Sequence, residues 1–197
     1  MYLFIAIVFF FLLFFFQGKE GYGVKADKEV EVKLSSNAPV TQIEIRSNLN
    51  GGDAWINLLD IDVRNMDDKR ILYETTTANV FFERGGNWGG LPIEQLWDDE
   101  HGRHPSHRTM GHSAHQVDKV IIKLDSTNMI LAPEADIKRP PAGNVGSVTI
   151  ANRFDCCWHR IGYYRLSIFS NGNLLGEVSL SDLAFQGKTI RYKLTRP

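Results

Sequence analysis

Both cysteines of the chain lie side by side in the segment NRFDCCWHR, as Cys156 and Cys157, among Arg153, Asp155 and Arg160. Adjacent cysteines cannot join distant parts of a chain, which excludes a disulfide framework. Two states are open for the pair: free structural thiols, or a vicinal disulfide that closes a small apolar ring with strained peptide geometry. Redox catalysis is disfavoured, because its usual motif separates the two thiols by two residues.

A second group of chemically capable residues is rich in histidine. The stretch 101–115 contains five of the six histidines, and three acidic residues directly precede it. Imidazole and carboxylate groups suit zinc or nickel, but the spacing matches no zinc signature, and Pro105 excludes a helix that would align the ligands. Three interpretations stay open: a solvated polar loop, a loop that lends one histidine to a ligand site, or a structural metal site.

The net charge and the lack of catalytic motifs limit the classes of function that fit this sequence. The chain has 197 residues and a formal net charge of -1, so there is no electrostatic case for binding nucleic acid. No Ser-His-Asp order and no glycine-rich phosphate loop stands out. The sequence therefore predicts a protein that is not an enzyme.

Short segments with alternating apolar and polar residues must position these groups. Breaks at glycine, asparagine and proline separate the segments, which is typical of an all-β sandwich. Two stretches interrupt the pattern: 94–115, predicted to be a loop, and 125–144, predicted to be an insertion between two strands. The predicted strands are EVEVKL, TQIEIRS, WINLLDIDV, VDKVIIKL, GSVTIANR, YYRLSIF, GEVSL and TIRYKL.

The N-terminus carries a separate apolar segment. Residues 1–16 contain no charge, and as a helix they would span roughly 24 Å, slightly less than the ~30 Å hydrocarbon core of a bilayer. We predict a retained transmembrane anchor at 1–17, a linker at 18–28 and a β-sandwich domain at 29–197. A cleaved signal and a buried core helix are the alternatives. Lysines follow the apolar run, which predicts that the domain faces the cytoplasm.

The segment VGSVTIANRFDCCWHRI, residues 145–161, resembles the core signature of the F-type lectins (fucolectins) and of the wider galactose-binding-like family that includes discoidin domains. In that signature a strand ends in Asn-Arg and is followed by x-Asp-Cys-Cys-x-x-Arg and an apolar residue. Looser similarity covers most of residues 40–194. The resemblance implies a jelly-roll-like β-sandwich with a shallow carbohydrate-binding site at one end.

The resemblance also implies which residues form that site. Polar groups would hydrogen-bond the hydroxyls of fucose, and Asp155 would hold an arginine in place; the polar groups are His112, Arg153 and Arg160. Apolar groups would pack against the sugar, namely a ring of Cys156 and Cys157, with Trp97 or Trp158 as an aromatic wall. The arginines and Asp155 also have an alternative interpretation as a buried ion network that ties two strands together.

Members of the family often hold a calcium ion in a loop rich in Asn and Asp. Gln95, Asp98 and Glu100 fall on those positions and keep oxygen ligands, so the resemblance implies a calcium site there.

The apolar N-terminus and the KEGYG that soon follows it are similar to short anchored proteins of large DNA virus particles, in which galactose-binding-like domains recur. This similarity implies a non-enzymatic docking component of a large assembly, such as a minor capsid protein or a protein of the virion inner membrane. Its partners would be a lipid bilayer, through residues 1–16, and neighbouring proteins of the assembly. The alternative is a lectin domain, displayed from a membrane, that binds a fucosylated glycan.

Overall fold

The computed structural model describes residues 25–48, 55–68, 71, 80–89, 96, 111–124 and 145–197. The predicted anchor at 1–17, most of the linker and the predicted insertion at 125–144 lie outside these residues. Within the described ranges, no helix has the length and apolar character needed to cross a membrane.

The described residues form two five-stranded sheets with very little helix, which confirms the prediction of an all-β protein. One sheet, here sheet A, has the order β1-β10-β7-β3-β5, and the other, sheet B, has the order β4-β6-β2-β8-β9. The strands are β1 (Lys28–Lys33), β2 (Gln42–Ser47), β3 (Asn57–Asn65), β4 (Val80–Phe82), β5 (Gly111–His112), β6 (Lys119–Lys123), β7 (Val145–Asn152), β8 (Tyr164–Ser170), β9 (Asn173–Ser179) and β10 (Thr189–Thr195).

Alternation along the strands places the apolar residues between the two sheets. In β2, Ile43 and Ile45 are fully buried, and in β7, Val148 and Ile150 are fully buried. All four belong to one hydrophobic cluster to which both sheets contribute. Because successive side chains of a strand point to opposite faces, the intervening residues lie on the outer faces of the sheets.

The pairing is antiparallel except at one edge of sheet A, where β1 runs parallel to β10. This pairing begins at Lys28, opposite Ile190. The predicted break at Asn171 and Gly172 is confirmed as a two-residue turn between β8 and β9. Both residues have positive φ, 46° and 81°, as a type I′ hairpin turn requires.

Two short strands, β4 and β5, lie where no strand was predicted. The prediction of a loop across 94–115 is wrong for Gly111 and His112, which form β5 and pair with Leu58 and Asn57 of β3. A strand of two residues is too short to show alternation, and its pairing partner is distant in the sequence. The pairing decides where His112 lies.

Candidate ligand-binding site

The predicted site residues meet at one end of sheet A. Strand β3 lies between β7 and β5, and Leu58 near its start pairs with Asn152 at the end of β7. The preceding residue of β3, Asn57, pairs with His112 of β5. The chain that leaves β7 at Arg153 therefore emerges at the same end of the sheet as His112.

Arg153 and Asp155 form a bidentate ion pair at this end. Nε of Arg153 donates to Oδ1 of Asp155 at 2.6 Å, and Nη2 donates to Oδ2 at 2.7 Å. The guanidinium side chain of Arg153 is only 6% exposed, whereas that of Asp155 is 20% exposed. The hydrogen bond from Arg153 lowers the pKa of Asp155 to about 2, so the pair is ionised at neutral pH.

The ion pair also changes the pKa of Arg153. Burial alone would lower the pKa of Arg153, but its hydrogen bond with Asp155 and the charge of that carboxylate give a net rise in the pKa. Nη1 of Arg153 forms no hydrogen bond with the described residues, so its two N–H groups are not used by this part of the fold.

The side chain of Asn152 holds the loops around the ion pair through hydrogen bonds, a role that was not predicted from the sequence. Its side chain is fully buried, and Nδ2 donates to the carbonyls of Trp158 at 2.8 Å, Leu183 at 2.8 Å and Phe185 at 3.1 Å. Its Oδ1 accepts from the backbone N–H of Arg153 at 2.9 Å. One amide thereby joins the end of β7 to two separate segments.

His112 lies in an environment that keeps it neutral. Burial lowers its pKa below the ordinary value, and the nearby positive charges of Arg153 and Arg160 lower it further. Nδ1 lies 2.7 Å from the carbonyl oxygen of Ser113, and because a carbonyl only accepts, Nδ1 carries the proton. Nε2 of the neutral ring is then an acceptor, and it forms no hydrogen bond with the described residues.

Two tryptophans flank the ring of His112. The ring centroid of Trp55 lies 5.6 Å from that of His112, and the centroid of Trp88 lies 5.1 Å from it. Trp88 is 58% exposed. Neither tryptophan was predicted from the sequence to belong to the site, because neither lies near the signature segment and no spacing pattern connects them to it.

Of the two tryptophans predicted to form an aromatic wall, Trp158 stacks on Phe185, with ring centroids 6.5 Å apart and planes 7° apart. Trp97 lies outside the described residues, so its part in a wall stays a prediction. Among the described residues, Trp88 is an exposed aromatic side chain in ring contact with His112.

Both cysteines are free thiols in the structure, which corresponds to the first of the two predicted states. The sulfur atoms lie 3.0 Å apart, and Cys157 adopts a left-handed conformation with φ of 58°. Contact with the Cys157 thiol raises the pKa of Cys156, which disfavours the reactive thiolate. Cys156 is exposed, so this part of the pair is accessible beside the ion pair.

The structure thus brings together His112, Arg153 and Arg160, with Asp155 holding Arg153. Arg160 is partly buried in the 3-10 helix Trp158–Tyr163, and its charge reaches the imidazole of His112. The predicted calcium ligands Gln95, Asp98 and Glu100 lie outside the described residues, so calcium binding stays a prediction. The described part of the chain contains no group of three or more side chains suited to hold a metal ion.

Chemically, the site combines hydrogen-bond donors with one acceptor. Arg153 presents Nη1, and His112 presents the acceptor Nε2, in partly desolvated surroundings. Hydrogen bonds to a charged group contribute roughly 1.5–3 kcal/mol, which is enough for a weak ligand to be held by a few contacts.

The chain matches no family model, no curated protein and no solved structure. The resemblance of residues 145–161 to the F-type lectins therefore stays a prediction that stands on those residues.

We expect Asp155→Asn to destabilise the protein by roughly 2–3 kcal/mol, because the buried Arg153 loses its charged partner. The measurement is the urea midpoint of the full-length chain at pH 7. The contribution of Asp155 is present above the ordinary aspartate pKa and disappears as the pH falls through about 2.

Asp182→Asn is the matched control for this substitution. Asp182 pairs with Lys28 at 2.6 Å, but its side chain is 57% exposed, so solvent screens the pair and its loss should cost under about 1 kcal/mol. Equal destabilisation by the two substitutions would contradict the central role of the buried pair.

Proposed function

We propose that the chain is a non-enzymatic binding module that holds a saccharide of the fucose type at the end of sheet A. The observation that carries the proposal is the convergence of His112, Arg153 and Arg160, three residues named from the sequence, at one end of one sheet. The proposal includes the jelly-roll-like, galactose-binding-like architecture that the resemblance implies.

A ligand with hydroxyl groups suits this arrangement better than an anion does. A hydroxyl can donate to Nε2 of the neutral His112 and accept from Nη1 of Arg153 at the same time. An anionic group offers no hydrogen to Nε2, and Asp155 already balances the charge of Arg153. Saccharides carry several such hydroxyls on one small ring.

The apolar side of a sugar would contact the groups around this polar cluster. Trp88 exposes a large aromatic surface next to His112, and Cys156 exposes its sulfur next to Asp155. Aromatic faces bury the C–H groups of a ligand without competing for its hydroxyls. The module would be held at a membrane by residues 1–16, with its domain facing the cytoplasm.

We expect L-fucose to bind the full-length chain, solubilised in a polyoxyethylene detergent that carries no sugar. Titration calorimetry of the thiol form and of the oxidised form measures the affinity. His112→Ala should weaken binding roughly tenfold, because the acceptor Nε2 is lost. His159→Ala, which alters an exposed histidine in the same segment as the signature, should leave the affinity unchanged.

Absence of binding by both forms, to L-fucose and across a glycan array, would contradict the proposed function. So would equal effects of the two histidine substitutions, because His112 would then have no special part in binding.

We expect the affinity for L-fucose to be constant above the ordinary histidine pKa of about 6.5 and to fall at lower pH. The pKa of His112 is lowered, so the ring is neutral near pH 7 and gains a proton only in more acidic solution. Protonation turns Nε2 from an acceptor into a donor and adds a third positive charge beside two arginines. Binding measured at a series of pH values tests this expectation.

His112→Gln supplies the control for the pH series, since its amide does not titrate. A wild-type profile that stays flat, or one that His112→Gln reproduces, would show that protonation of His112 does not govern binding.

The second candidate function is a docking component of a large assembly, such as a minor capsid or virion membrane protein. The free state of Cys156 and Cys157 favours it, because thiols stay reduced on the cytoplasmic side of a membrane, where complex glycans are scarce. The two functions are compatible if the neighbouring protein is glycosylated.

We expect the full-length chain, extracted from its native membrane with mild detergent, to sediment as part of a particle or a large complex. Deletion of residues 1–17 should abolish its membrane association. A monomer that carries no other protein would contradict the docking role while leaving carbohydrate binding untouched.

A further inference from the structure

Asn57 is a buried polar residue whose side-chain amide forms no hydrogen bond within the fold. The residue is 1% exposed, and both Nδ2 and Oδ1 of its side chain lack any hydrogen-bond partner. Among the described residues it is the one whose side chain has two such atoms. Leaving a buried donor or acceptor unpaired is unfavourable, so the fold tolerates a penalty in stability at this position.

The strand register places Asn57 between two residues of the candidate site. It pairs with His112 of β5 on one side, and on the other side it lies one residue beyond the last pair of β3 and β7, Leu58 and Asn152. The next residue of that chain is Arg153. Because side chains of paired residues emerge on the same face, those of Asn57 and His112 lie side by side, at the end of the sheet where the chain leaves β7 at Arg153.

Asn57 does not belong to the hydrophobic core. Its neighbour Leu58 lies in the core cluster, so Asn57 projects to the opposite face of the sheet. The unpaired hydroxyl of Tyr192 differs in this respect, because the rest of that side chain is part of the core cluster. Both residues carry an unpaired buried polar group, but Tyr192 lies in the core, whereas Asn57 lies beside the candidate site.

We propose that Asn57 is a further ligand-contacting residue of this site. Resting on the proposed carbohydrate-binding function, the inference assigns the ligand a pair of neighbouring hydroxyls. Oδ1 accepts a hydrogen bond from one hydroxyl, and Nδ2 donates a hydrogen bond to the other. The amide is thus paired only when the saccharide is bound.

The side chains around the amide must move before a sugar can reach it, since neither amide atom contacts solvent in the free protein. Trp55 and Trp88 flank the neighbouring ring of His112, and Trp88 is more than half exposed.

The test replaces the amide with an apolar side chain of similar volume. Asn57→Leu in the full-length chain should raise the midpoint of urea unfolding, because the unpaired buried amide is removed. The same variant should bind L-fucose at least tenfold more weakly, because the ligand loses two hydrogen bonds. A residue that only supported the fold would not show a gain in stability together with a loss of affinity.

Tyr192→Phe is the matched control, since it also removes an unpaired buried polar group. It should raise or preserve the urea midpoint and leave the affinity for L-fucose within twofold of the wild type. Asn57→Ala decides the affinity question if Asn57→Leu does not fold, because it removes the amide without adding volume.

The outcomes separate this inference from the proposed function. If the wild type binds L-fucose and both Asn57 variants bind it within twofold, the inference is overturned and the proposed function stands. A folded Asn57→Leu that is less stable than the wild type also overturns the inference, since the amide would then support the fold. If the wild type binds no saccharide, both proposals fall.

Discussion

The guanidinium of Arg153 is a positive charge removed from solvent at the end of a β-strand, and such a charge is tolerated only when it is paired. Asp155, two residues further along, supplies the pairing through two parallel hydrogen bonds. The backbone between them is in turn held by Asn152, whose amide joins the end of β7 to the carbonyls of Trp158, Leu183 and Phe185. The loops at this end of sheet A therefore depend on one short segment.

The same pairing contributes to the electrostatics of the neighbouring histidine. Burial lowers the pKa of His112, and the positive charges of Arg153, which Asp155 stabilises, and of Arg160 lower it further. The carbonyl of Ser113 selects the tautomer with the proton on Nδ1. The outcome is a cluster in which the neutral acceptor of His112 lies near two arginines, one of them balanced by Asp155.

Native folds leave few buried polar groups unpaired, and those that remain are often found where function requires them. Asn57 fits this description because its unpaired amide lies beside His112. In the proposed role, the stability lost at this position would be recovered when the amide pairs with a ligand.

The amino-acid sequence by itself determined the all-β class, because alternation along segments such as QIEIRS shows which side of each strand is apolar. It also determined the turn at Asn171 and Gly172, since a tight turn depends on adjacent residues. The structure showed that the arginine held by Asp155 is Arg153. Only the tertiary structure decided that β5 pairs with β3, and hence that His112 lies beside Asn57, with Trp55 and Trp88 against its ring. Contacts between strands that are distant in the chain arise from register and sheet order, and a strand as short as β5 leaves no periodic pattern from which either could be predicted.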